Sequence, residues 1–517
     1  MRKDEIFELE FGVITELIRL HARHMPTHRA LVEGSQTLGY AALDELMDRI
    51  ACGMQRDGLK PGDTIAICAS MSIAYAAVFL GALRAGVVVT PLAQGLTATS
   101  LANMIEDAQA KLLFADAMLP DPLGSTYADS IPRISIDNSS AGHLFNNWLP
   151  HPGARPTSVS IEPTWPFNII YSSGTVGEPK GIVQPHSMRW GHVRRSRNFG
   201  YDRETIALLS TPMYSNTTLV MFFPTLAFGG TLVLMPKFNA EAYLRLAQAE
   251  RVTHTMLVPV QYQRLMARPD FDAYDLSSFR LKFSTSAPFS AALKADVLQR
   301  WPGGLVEFYG MTEGGGTCIL EAHVFPNKLH TVGRPAEGHD IRLIDDAGRE
   351  VSAGEAGEVV GRSPAMMTGY HGHPEKTRAA EWFDPGGKRF IRTGDVGRFD
   401  CDGFLTLLDR KKDMIISGGF NIYPSDLETV LCEHPAVEDA AVVGVPSQEW
   451  GETPVAFVVC KNPGNNMTDE MLEWFNQRVG KTQRLASIYF VDDLPRSPIG
   501  KVLKRELRDC HLAQMTH

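Results

Sequence analysis

Hydrophobic positions in the first half of the chain alternate between short, continuous apolar runs and longer amphipathic runs. Residues 64–69 have the pattern of a buried strand, residues 73–84 that of a helix with small and apolar residues on one face, and residues 86–91 that of the next strand. The same succession recurs over residues 208–212, 219–228, 231–235, 240–250 and 255–258. A repeated strand–helix–strand order predicts an α/β fold with parallel sheets.

The pattern changes after about residue 330, where short strands separated by turn residues take over. Strands are indicated at 341–344, 358–361 and 404–408, and turns rich in Asp and Gly at 345–348 and 400–403. They predict a small β subdomain that ends near residue 408. The charged run 409–413 is typical of a linker, and a compact α+β tail follows it.

Composition excludes several function classes. The chain of 517 residues is 44% hydrophobic and 21% charged, as in ordinary globular proteins with more than one domain. Lys and Arg number 50 against 59 Asp and Glu, and no long basic run is present, which argues against a nucleic-acid partner. Seven scattered cysteines without CxxC spacing argue against a zinc site or a disulfide framework. With no secretory signal and no apolar run of about 18 residues, we expect a cytoplasmic location and no membrane span.

Four arginines, Arg189, Arg194, Arg195 and Arg197, form the densest basic cluster. A solvent-exposed helix face is the more frequent role of such a cluster, and binding of the phosphates of a small ligand is the alternative.

Residues 172–181 form a loop rich in Gly, Ser and Thr after a predicted strand end at 168–171. Its glycines allow a tight turn, and its hydroxyls, exposed N–H groups and Lys180 can contact phosphate oxygens. The order GxxxxGK[ST] of a Walker loop is absent. By itself the loop indicates only a turn that could accept phosphate.

Three further clusters have chemistry that suits a nucleotide. Residues 308–313, Phe-Tyr-Gly-Met-Thr-Glu, supply an aromatic face, a hydroxyl and a carboxylate that could ligate magnesium. Residues 392–395, Arg-Thr-Gly-Asp, place a carboxylate after a glycine turn, where it could accept from two ribose hydroxyls. Residues 495–501, Pro-Arg-Ser-Pro-Ile-Gly-Lys, place Lys501 on a loop from which it could reach a phosphate.

Taken together in this order and spacing, the four clusters resemble the adenylate-forming superfamily, in its branch of acyl- and aryl-CoA synthetases. The resemblance extends from about residue 10 to residue 510. It implies a large α/β N-terminal domain (1–408), with parallel sheets flanked by helices plus a small β subdomain. A hinge (409–412) would connect it to a smaller, mobile α+β C-terminal domain (413–517).

The resemblance implies an ATP-dependent carboxylic acid–CoA ligase, an AMP-forming enzyme that acts through an acyl-adenylate and uses Mg²⁺. Its implied catalytic residues are Lys501, Thr312 and Glu313, and Glu313 would also bind the metal. The implied ATP-binding residues are Ser172, Ser173, Gly174, Thr175, Gly177, Lys180, Ser286, Ala287, Pro288, Tyr309, Gly310, Asp395 and Arg410. Lys412 would be the hinge residue, and the implied CoA tunnel consists of Ser417, Gly418 and Gly419.

The acid pocket departs from the usual pattern of this family. The residues expected to line it are Tyr214, Ser215, Asn216, Thr217, Thr285, Phe308, Gly314 and Gly315. Ser215 stands where many relatives have a histidine gate, and Phe308 stands where aryl-specific relatives often have glycine. Polar residues at 216, 217, 285 and 286 indicate a small to medium acid rather than a long-chain one. Val176 replaces a usual threonine in the loop, and residues 481–485 lack the Lys-x-Pro pattern common near the CoA site.

Several alternatives remain open at this point. The acyl group could pass to a carrier protein or another acceptor instead of CoA, or the enzyme could stop at the adenylate. An amino-acid-activating domain is disfavoured because Tyr214 stands where such domains usually have aspartate. A non-catalytic nucleotide-binding relative is disfavoured because Lys501, Glu313 and Asp395 are all present. The expected partners are a small-molecule carboxylic acid, ATP and CoA. A homodimer is compatible with the sequence, which does not fix the oligomeric state.

Overall fold

The computed structural model describes residues 7–172, 180–417, 420–447, 450–460, 467–480, 483–497 and 500–515. Contacts between residues divide the chain into two compact units. The first consists of Met1–Leu329, Ala336–Asp340 and Arg362–Ile391, and the second of His330–Pro335, Ile341–Gly361 and Arg392–His517.

One sheet of the first unit is parallel in its interior and antiparallel at two of its pairings. Its strands within this unit lie side by side in the order Thr317–Glu321, Gly304–Gly310, Leu281–Ser284, His254–Leu257, Ile206–Leu209, Thr231–Leu234, Arg29–Glu33 and Gln36–Gly39. The interior strands are buried along nearly their whole length, as expected for parallel strands covered on both faces, although two of them carry buried polar residues such as His254, Thr255 and Lys282.

A second sheet of the same unit is also mostly parallel. Its strands follow the order Gly369–Tyr370, Lys180–Pro185, Pro166–Ser172, Val88–Pro91, Thr64–Cys68, Ala110–Ala115, Arg133–Ser135 and His143–Leu144. The first three strands in this order pair antiparallel. A short strand, Glu381–Phe383, pairs with the first residues of Arg389–Phe399.

Several helices of this unit, among them Tyr40–Arg56, Ile73–Arg84 and Asn216–Ala227, bury their apolar residues in one core, and Ala98–Asp107 packs into a second apolar cluster. Helices connect the strands. They are Ile14–His24, Tyr40–Arg56, Ile73–Arg84, Ala98–Asp107, Thr126–Ser130, Phe145–Trp148, His186–Arg195, Asn216–Ala227, Ala240–Ala249, Pro259–Met266, Ala291–Arg300 and Pro374–Ala379, with 3-10 turns at Ser196–Phe199 and Phe271–Ala273. Ile73–Arg84 shows how such a helix begins: the hydroxyl of Ser72 accepts from the N–H of Tyr75 at 3.1 Å.

The second unit contains two smaller sheets. Its strands are Arg334–Pro335, Asp340–Ile344, Gly357–Arg362, Arg389–Phe399, Leu405–Arg410, Ile415–Ser417, Phe420–Ile422, Val437–Ser447, Gly451–Cys460 and Ser487–Phe490, and its helices are Pro424–Cys432, Met467–Asn476 and Lys504–Met515. Three of these strands begin or end within the first unit, namely Asp340–Ile344, Gly357–Arg362 and Arg389–Phe399.

The predicted α/β architecture with parallel sheets is confirmed, and the strand–helix–strand segment over 64–91 matches closely. The strand expected at 208–212 lies at Ile206–Leu209 instead. Within the described ranges, no helix combines the length and the apolar character that a bilayer span requires.

Candidate active site

Three segments expected at the site lie at the carboxyl ends of parallel strands of one sheet. Tyr309 and Gly310 end the strand Gly304–Gly310, and residues 285–288 follow the adjacent strand Leu281–Ser284. Residues 214–217 come after Ile206–Leu209 in the same sheet. Ligands of open α/β sheets bind outside the carboxyl ends of the strands, so this edge of the sheet is a suitable place for a site.

A tight turn carries Thr312 and Glu313 away from the strand end. The next residue, Gly314, has φ of +74°, and a Cβ there would lie 2.1 Å from the carbonyl oxygen of Ala365. Both the backbone conformation and the lack of space therefore require glycine. The turn is held on its other side by Gln184, whose Nε2 donates to the carbonyl of Thr312 at 2.7 Å.

Glu313 is held by a residue that the sequence does not single out. The hydroxyl of Tyr370 donates to Oε1 of Glu313 at 2.9 Å, and the N–H of Met367 donates to the Glu313 carbonyl at 2.8 Å. Nζ of Lys180, a predicted phosphate ligand, lies 5.1 Å from the centroid of the Tyr370 ring. The structure thus brings Lys180, Tyr370 and Glu313 together from three separate segments.

A buried polar network contacts this turn through the side chain of Gln184. Gln184 and Asn168 hydrogen-bond to each other at 3.1 Å, and the guanidinium of Arg189 donates to both of their side-chain oxygens. Arg189 is 1% exposed and lies 5.8 Å from the ring centroid of Phe167. Burial lowers the pKa of Arg189 to about 9. The expected solvent-exposed face is therefore wrong for Arg189, because amide acceptors from neighbouring strands make its burial tolerable.

Thr217, expected in the acid pocket, lies in the first turn of a helix and contacts Ser286, expected at ATP, which follows the strand Leu281–Ser284. The hydroxyls of Thr217 and Ser286 lie 2.6 Å apart, although they are far apart in sequence. Ser286 has φ of +81°, a conformation that favours glycine and is uncommon for other residues. Ser215 caps the helix Asn216–Ala227, and Oδ1 of Asn216 is buried without a hydrogen-bond partner among the described residues. Burial raises the pKa of Tyr214.

Other residues expected in the acid pocket (Thr285, Phe308 and Gly315) or at ATP (Ala287 and Pro288) lie near the same strand ends and turn. Phe308 and Thr285 are half-buried, Ala287 likewise, and Pro288 is exposed. Gly315 is buried, and the Phe308 ring packs edge-on against Phe199 at 5.4 Å.

The predicted ribose ligands meet in the second unit. Asp395 and Arg410 pair across the antiparallel strands Arg389–Phe399 and Leu405–Arg410, with Nε of Arg410 3.2 Å from Oδ1 of Asp395. Gly394, at φ of +73°, makes the turn that precedes Asp395. The two side chains are thus placed side by side, with the Arg410 guanidinium partly exposed.

The predicted hinge, residues 409–412, comes next in the chain. Nζ of Lys411 forms ion pairs with Asp346 at 2.7 Å and with Glu358 at 3.2 Å, and its N–H donates to the Gly394 carbonyl. Lys412 is exposed, and partial burial of its side-chain nitrogen together with the nearby Arg410 lowers its pKa. Ser417 is buried at the end of the strand Ile415–Ser417.

Lys501 lies in a tight turn that exposes it. The Ser497 N–H donates to the Lys501 carbonyl at 2.8 Å, the Gly500 N–H donates to the Ser497 carbonyl at 2.8 Å, and Gly500 has φ of +80°. The other predicted residues Ser173, Gly174, Thr175, Gly177, Gly418 and Gly419 lie outside the described residues, as does the side chain of Ser172.

The described residues contain no cluster of three or more His, Cys, Asp or Glu side chains able to hold a metal by themselves. Mg²⁺ in nucleotide sites is usually held by one or two carboxylates together with substrate phosphates and water. Glu313, oriented by Tyr370, is placed to be such a carboxylate.

Comparison with known proteins decides the family. The model of the AMP-binding enzyme family matches residues 18–371, and that of its C-terminal domain matches residues 426–501. The chain belongs to the AMP-binding enzyme family. A feruloyl-CoA synthase from an Amycolatopsis species is 34% identical over 492 residues, covering 94% of this chain and 96% of that protein. The fatty acid–[acyl-carrier-protein] ligase ScoC from Streptomyces coeruleorubidus is 32% identical over 518 residues, covering 98% of each.

One of the similar solved structures contains both the nucleotide and the metal. The o-succinylbenzoate CoA synthetase MenE from Bacillus subtilis, in complex with ATP and magnesium ion, is 26% identical with a TM-score of 0.83, covering 95% of this chain and 99% of that one. These comparisons confirm the expected enzyme class, an ATP-dependent, AMP-forming acid–thiol ligase of the adenylate-forming superfamily. They also confirm ATP and CoA as its cosubstrates and magnesium as its metal.

Proposed function

We propose that this AMP-binding enzyme activates a small to medium carboxylic acid and transfers it to CoA. A carboxylate oxygen of the acid attacks the α-phosphorus of ATP, and pyrophosphate leaves. The sulfur of CoA then attacks the acyl carbonyl, its proton is lost to solvent, and AMP leaves. The observation that carries the proposal is the turn after the strand Gly304–Gly310, where Tyr370 fixes the Glu313 carboxylate and Gln184 fixes the Thr312 carbonyl.

The adenylation step places two anions against each other. The substrate carboxylate is ionised at neutral pH, so no general base is needed, but the triphosphate repels it. Cations and hydrogen-bond donors fixed in advance offset that repulsion, and removing one such contact typically costs about 10²–10³ in rate. We assign Lys180 and the loop 172–179 to the β- and γ-phosphates, Thr312 to the α-phosphate, and Lys501 to the oxygens that react. Magnesium held by Glu313 would supply further charge neutralisation.

The nucleoside part of ATP needs different contacts. Tyr309 offers an aromatic face on which adenine can stack, next to the backbone of Gly310 and of residues 286–288. Asp395 can accept from two ribose hydroxyls, and Arg410, 3.2 Å away from it, would keep its carboxylate in place. These roles come from the resemblance to the family and from the chemistry of each side chain.

The second half-reaction would require the C-terminal domain to change its orientation. We assign the pivot to Lys412 within the hinge 409–412, between domains 1–408 and 413–517. Rotation there would withdraw Lys501 and bring Ser417, Gly418 and Gly419 to the active site, where they would form the tunnel for the pantetheine arm of CoA. A hinge of a few residues that absorbs a large dihedral change is ordinary for enzymes that close around ligands.

A carrier protein is the second candidate acceptor. It is favoured by the missing Lys-x-Pro pattern at residues 481–485 and by the similarity to a fatty acid–[acyl-carrier-protein] ligase over 98% of the chain. Gly418 and Gly419 favour CoA, because side chains there would narrow the path of the pantetheine arm. Incubating preformed acyl-adenylate with CoA or with a pantetheinylated carrier protein distinguishes the two acceptors.

The test of the function is a pyrophosphate-release screen over short-chain, hydroxy-, dicarboxylic and aromatic acids, with and without CoA. We expect pyrophosphate with at least one of these acids, and acyl-CoA only when CoA is added. The absence of ATP–pyrophosphate exchange with every acid would refute the proposal. We also propose a cytoplasmic location and a homodimer, and light scattering of the purified protein tests the second of these.

A further inference from the structure

Arg195 is a partly buried cation beside the acid pocket. It ends the helix His186–Arg195, and its guanidinium carbon lies 5.7 Å from the centroid of the Phe308 ring. Its Nη1 donates to the Thr317 hydroxyl at 3.3 Å. Among the residues that the structure describes, no carboxylate forms an ion pair with it, and burial alone lowers its pKa to about 10.

Other buried arginines in this chain are paired with carboxylates or with amide oxygens. Arg84 pairs with Asp44 at 2.6 Å and with Asp48 at 2.8 Å, and Arg189 donates to two amide oxygens. Arg195 has neither arrangement within the described part of the chain. Since a desolvated charge is costly unless it is paired and hydrogen-bonded, its surroundings suit an anion that arrives with a ligand.

Two histidines, His192 and His339, interact electrostatically with Arg195. His192 lies one helical turn before it, and its Nδ1 is buried without a partner among the residues described. Nδ1 of His339 accepts from the Thr317 N–H at 2.9 Å, so a neutral His339 ring carries its proton on Nε2. Burial lowers the pKa of both histidines, with a smaller contribution from Arg195 in each case.

One contact of Arg195, Phe308, is an expected residue of the acid pocket, and the other, Thr317, begins the strand Thr317–Glu321 just after the turn that carries Gly314 and Gly315. Phe308 directly precedes Tyr309, and successive residues of a strand point to opposite faces, so a nucleoside on Tyr309 leaves the Phe308 side to the acid. Thr317 pairs with Gly310 across the antiparallel strands. The ring centroids of Phe199, Phe283 and Phe308 lie within 5.6 Å of one another and form an aromatic cluster beside Arg195.

We propose that Arg195 is a specificity residue of the acid pocket, and that the preferred substrate is a short dicarboxylic acid whose second carboxylate pairs with its guanidinium. The inference rests on the proposed acid-activating function and names the substrate class for it. The first carboxylate reacts with ATP, and the second supplies a counterion to Arg195 in a fork-to-carboxylate pair. A site built around such a pair discriminates strongly against analogues that lack the charge.

The experiment compares each dicarboxylic acid of two to six carbons with its monomethyl ester, which has the same chain but one carboxylate fewer. kcat/KM is measured by pyrophosphate release with the full-length wild type and with Arg195→Met, Arg195→Lys and Arg194→Met. We expect the wild type to prefer one free diacid over its ester by about a hundredfold, the size typical of truncating one partner of a charge pair.

In Arg195→Met that preference should fall about a hundredfold, to near one or below. Arg195→Lys should keep part of it, because the charge remains while the fork is lost. Arg194→Met is the matched control, since Arg194 is exposed on the same helix, and it should keep the wild-type ratio.

The outcomes separate the two proposals. If the wild type releases pyrophosphate with monocarboxylic, hydroxy- or aromatic acids and shows no preference for a diacid, this inference is overturned while the proposed function stands. It is overturned in the same way if Arg195→Met lowers kcat/KM for acid and ester equally. If no acid at all supports pyrophosphate release, the proposed function fails and the inference fails with it. The wild-type ratio decides the matter even if Arg195→Met does not fold.

Discussion

The phenol of Tyr370 donates a hydrogen bond of 2.9 Å to Oε1 of Glu313, a residue 57 positions earlier in the chain. Tyr370 is itself buried in a small apolar cluster with Ile182, Met367 and Ile391. The rigid ring therefore fixes one oxygen of a carboxylate that we assign to the magnesium ion. Burial and the neighbouring Glu313 raise the pKa of Tyr370, so the phenol remains a donor at physiological pH.

Tyr370→Phe should weaken magnesium-dependent adenylation without unfolding the protein. A hydrogen bond to a charged group contributes about 1.5–3 kcal/mol, so we expect kcat/KM to fall roughly 10–100-fold. The magnesium concentration for half-maximal rate should rise as well, because Glu313 loses its fixed orientation. Magnesium titrations of pyrophosphate release measure both effects.

Tyr274→Phe is the matched control for that variant. Its hydroxyl lies 3.4 Å from the carboxylate of Asp270, outside the candidate site, so its loss should leave the magnesium titration unchanged. An unaltered magnesium requirement in Tyr370→Phe would contradict the role given to Tyr370.

At position 286 we expect the glycine variant to be more stable than the alanine variant, which is the reverse of the usual order. At φ of +81°, alanine keeps the strain and loses the hydrogen bond to Thr217, whereas glycine loses the bond but relieves the strain. Because the left-handed region costs an L-residue about 1–2 kcal/mol, Ser286→Gly should have the higher urea midpoint of the two. The control pair at Ser284, in an extended strand, should show alanine as the more stable variant. Equal midpoints at position 286 would show that this backbone strain is absent in solution.

His254 should make the stability depend on pH below neutrality. Burial lowers its pKa to about 4, whereas an unfolded histidine titrates near 6.5. Between these values the unfolded state binds more protons, so stability is lost as the pH falls from about 6.5 to about 4. His254→Asn should flatten this pH dependence by an amount of the order of 3 kcal/mol at most.

Urea midpoints measured between pH 4.5 and 8 provide the test for His254. Above pH 7 the curves of variant and wild type should run parallel, which separates the titration from any general loss of packing. Curves that stay parallel down to pH 4.5 would mean that His254 is protonated equally easily in both states.

Lys501→Ala and Gly419→Leu should impair different half-reactions. Loss of Lys501 should lower adenylation about 10²–10³-fold, since it removes a preorganised contact to the reacting oxygens, and should spare thioester formation from supplied acyl-AMP. Gly419→Leu should do the opposite. Lys388→Ala, which removes an exposed lysine of the first unit, is the control and should affect neither step. If both variants lost both steps equally, the two-pose mechanism would be wrong.

The local sequence pattern was sufficient to predict the alternation of strands and helices over residues 64–91, because these parallel strands and the helix that covers them are apolar over most of their length. The roles given to Glu313 and Asp395 come from short motifs of recognisable order and stay predictions. The local pattern failed for Arg189, because charge alone suggests a surface position and the amide acceptors of Asn168 and Gln184 come from other strands. Tyr370 was missed for the same reason: its partner is distant in sequence, and nothing near it in the chain indicates a site.

Lys411 sets how the linker can move. Its backbone is tied to Gly394 and its side chain to Glu358, a carboxylate that also accepts from Arg392 at 2.9 Å. The chain is thus anchored up to the residue before Lys412. On the other side of Lys412, the N–H groups of Asp413 and Met414 donate to the Arg410 carbonyl at 2.9 and 3.0 Å. A swing at the proposed pivot would have to break these two hydrogen bonds, so the turn that starts at Arg410 would set part of the barrier between the two poses.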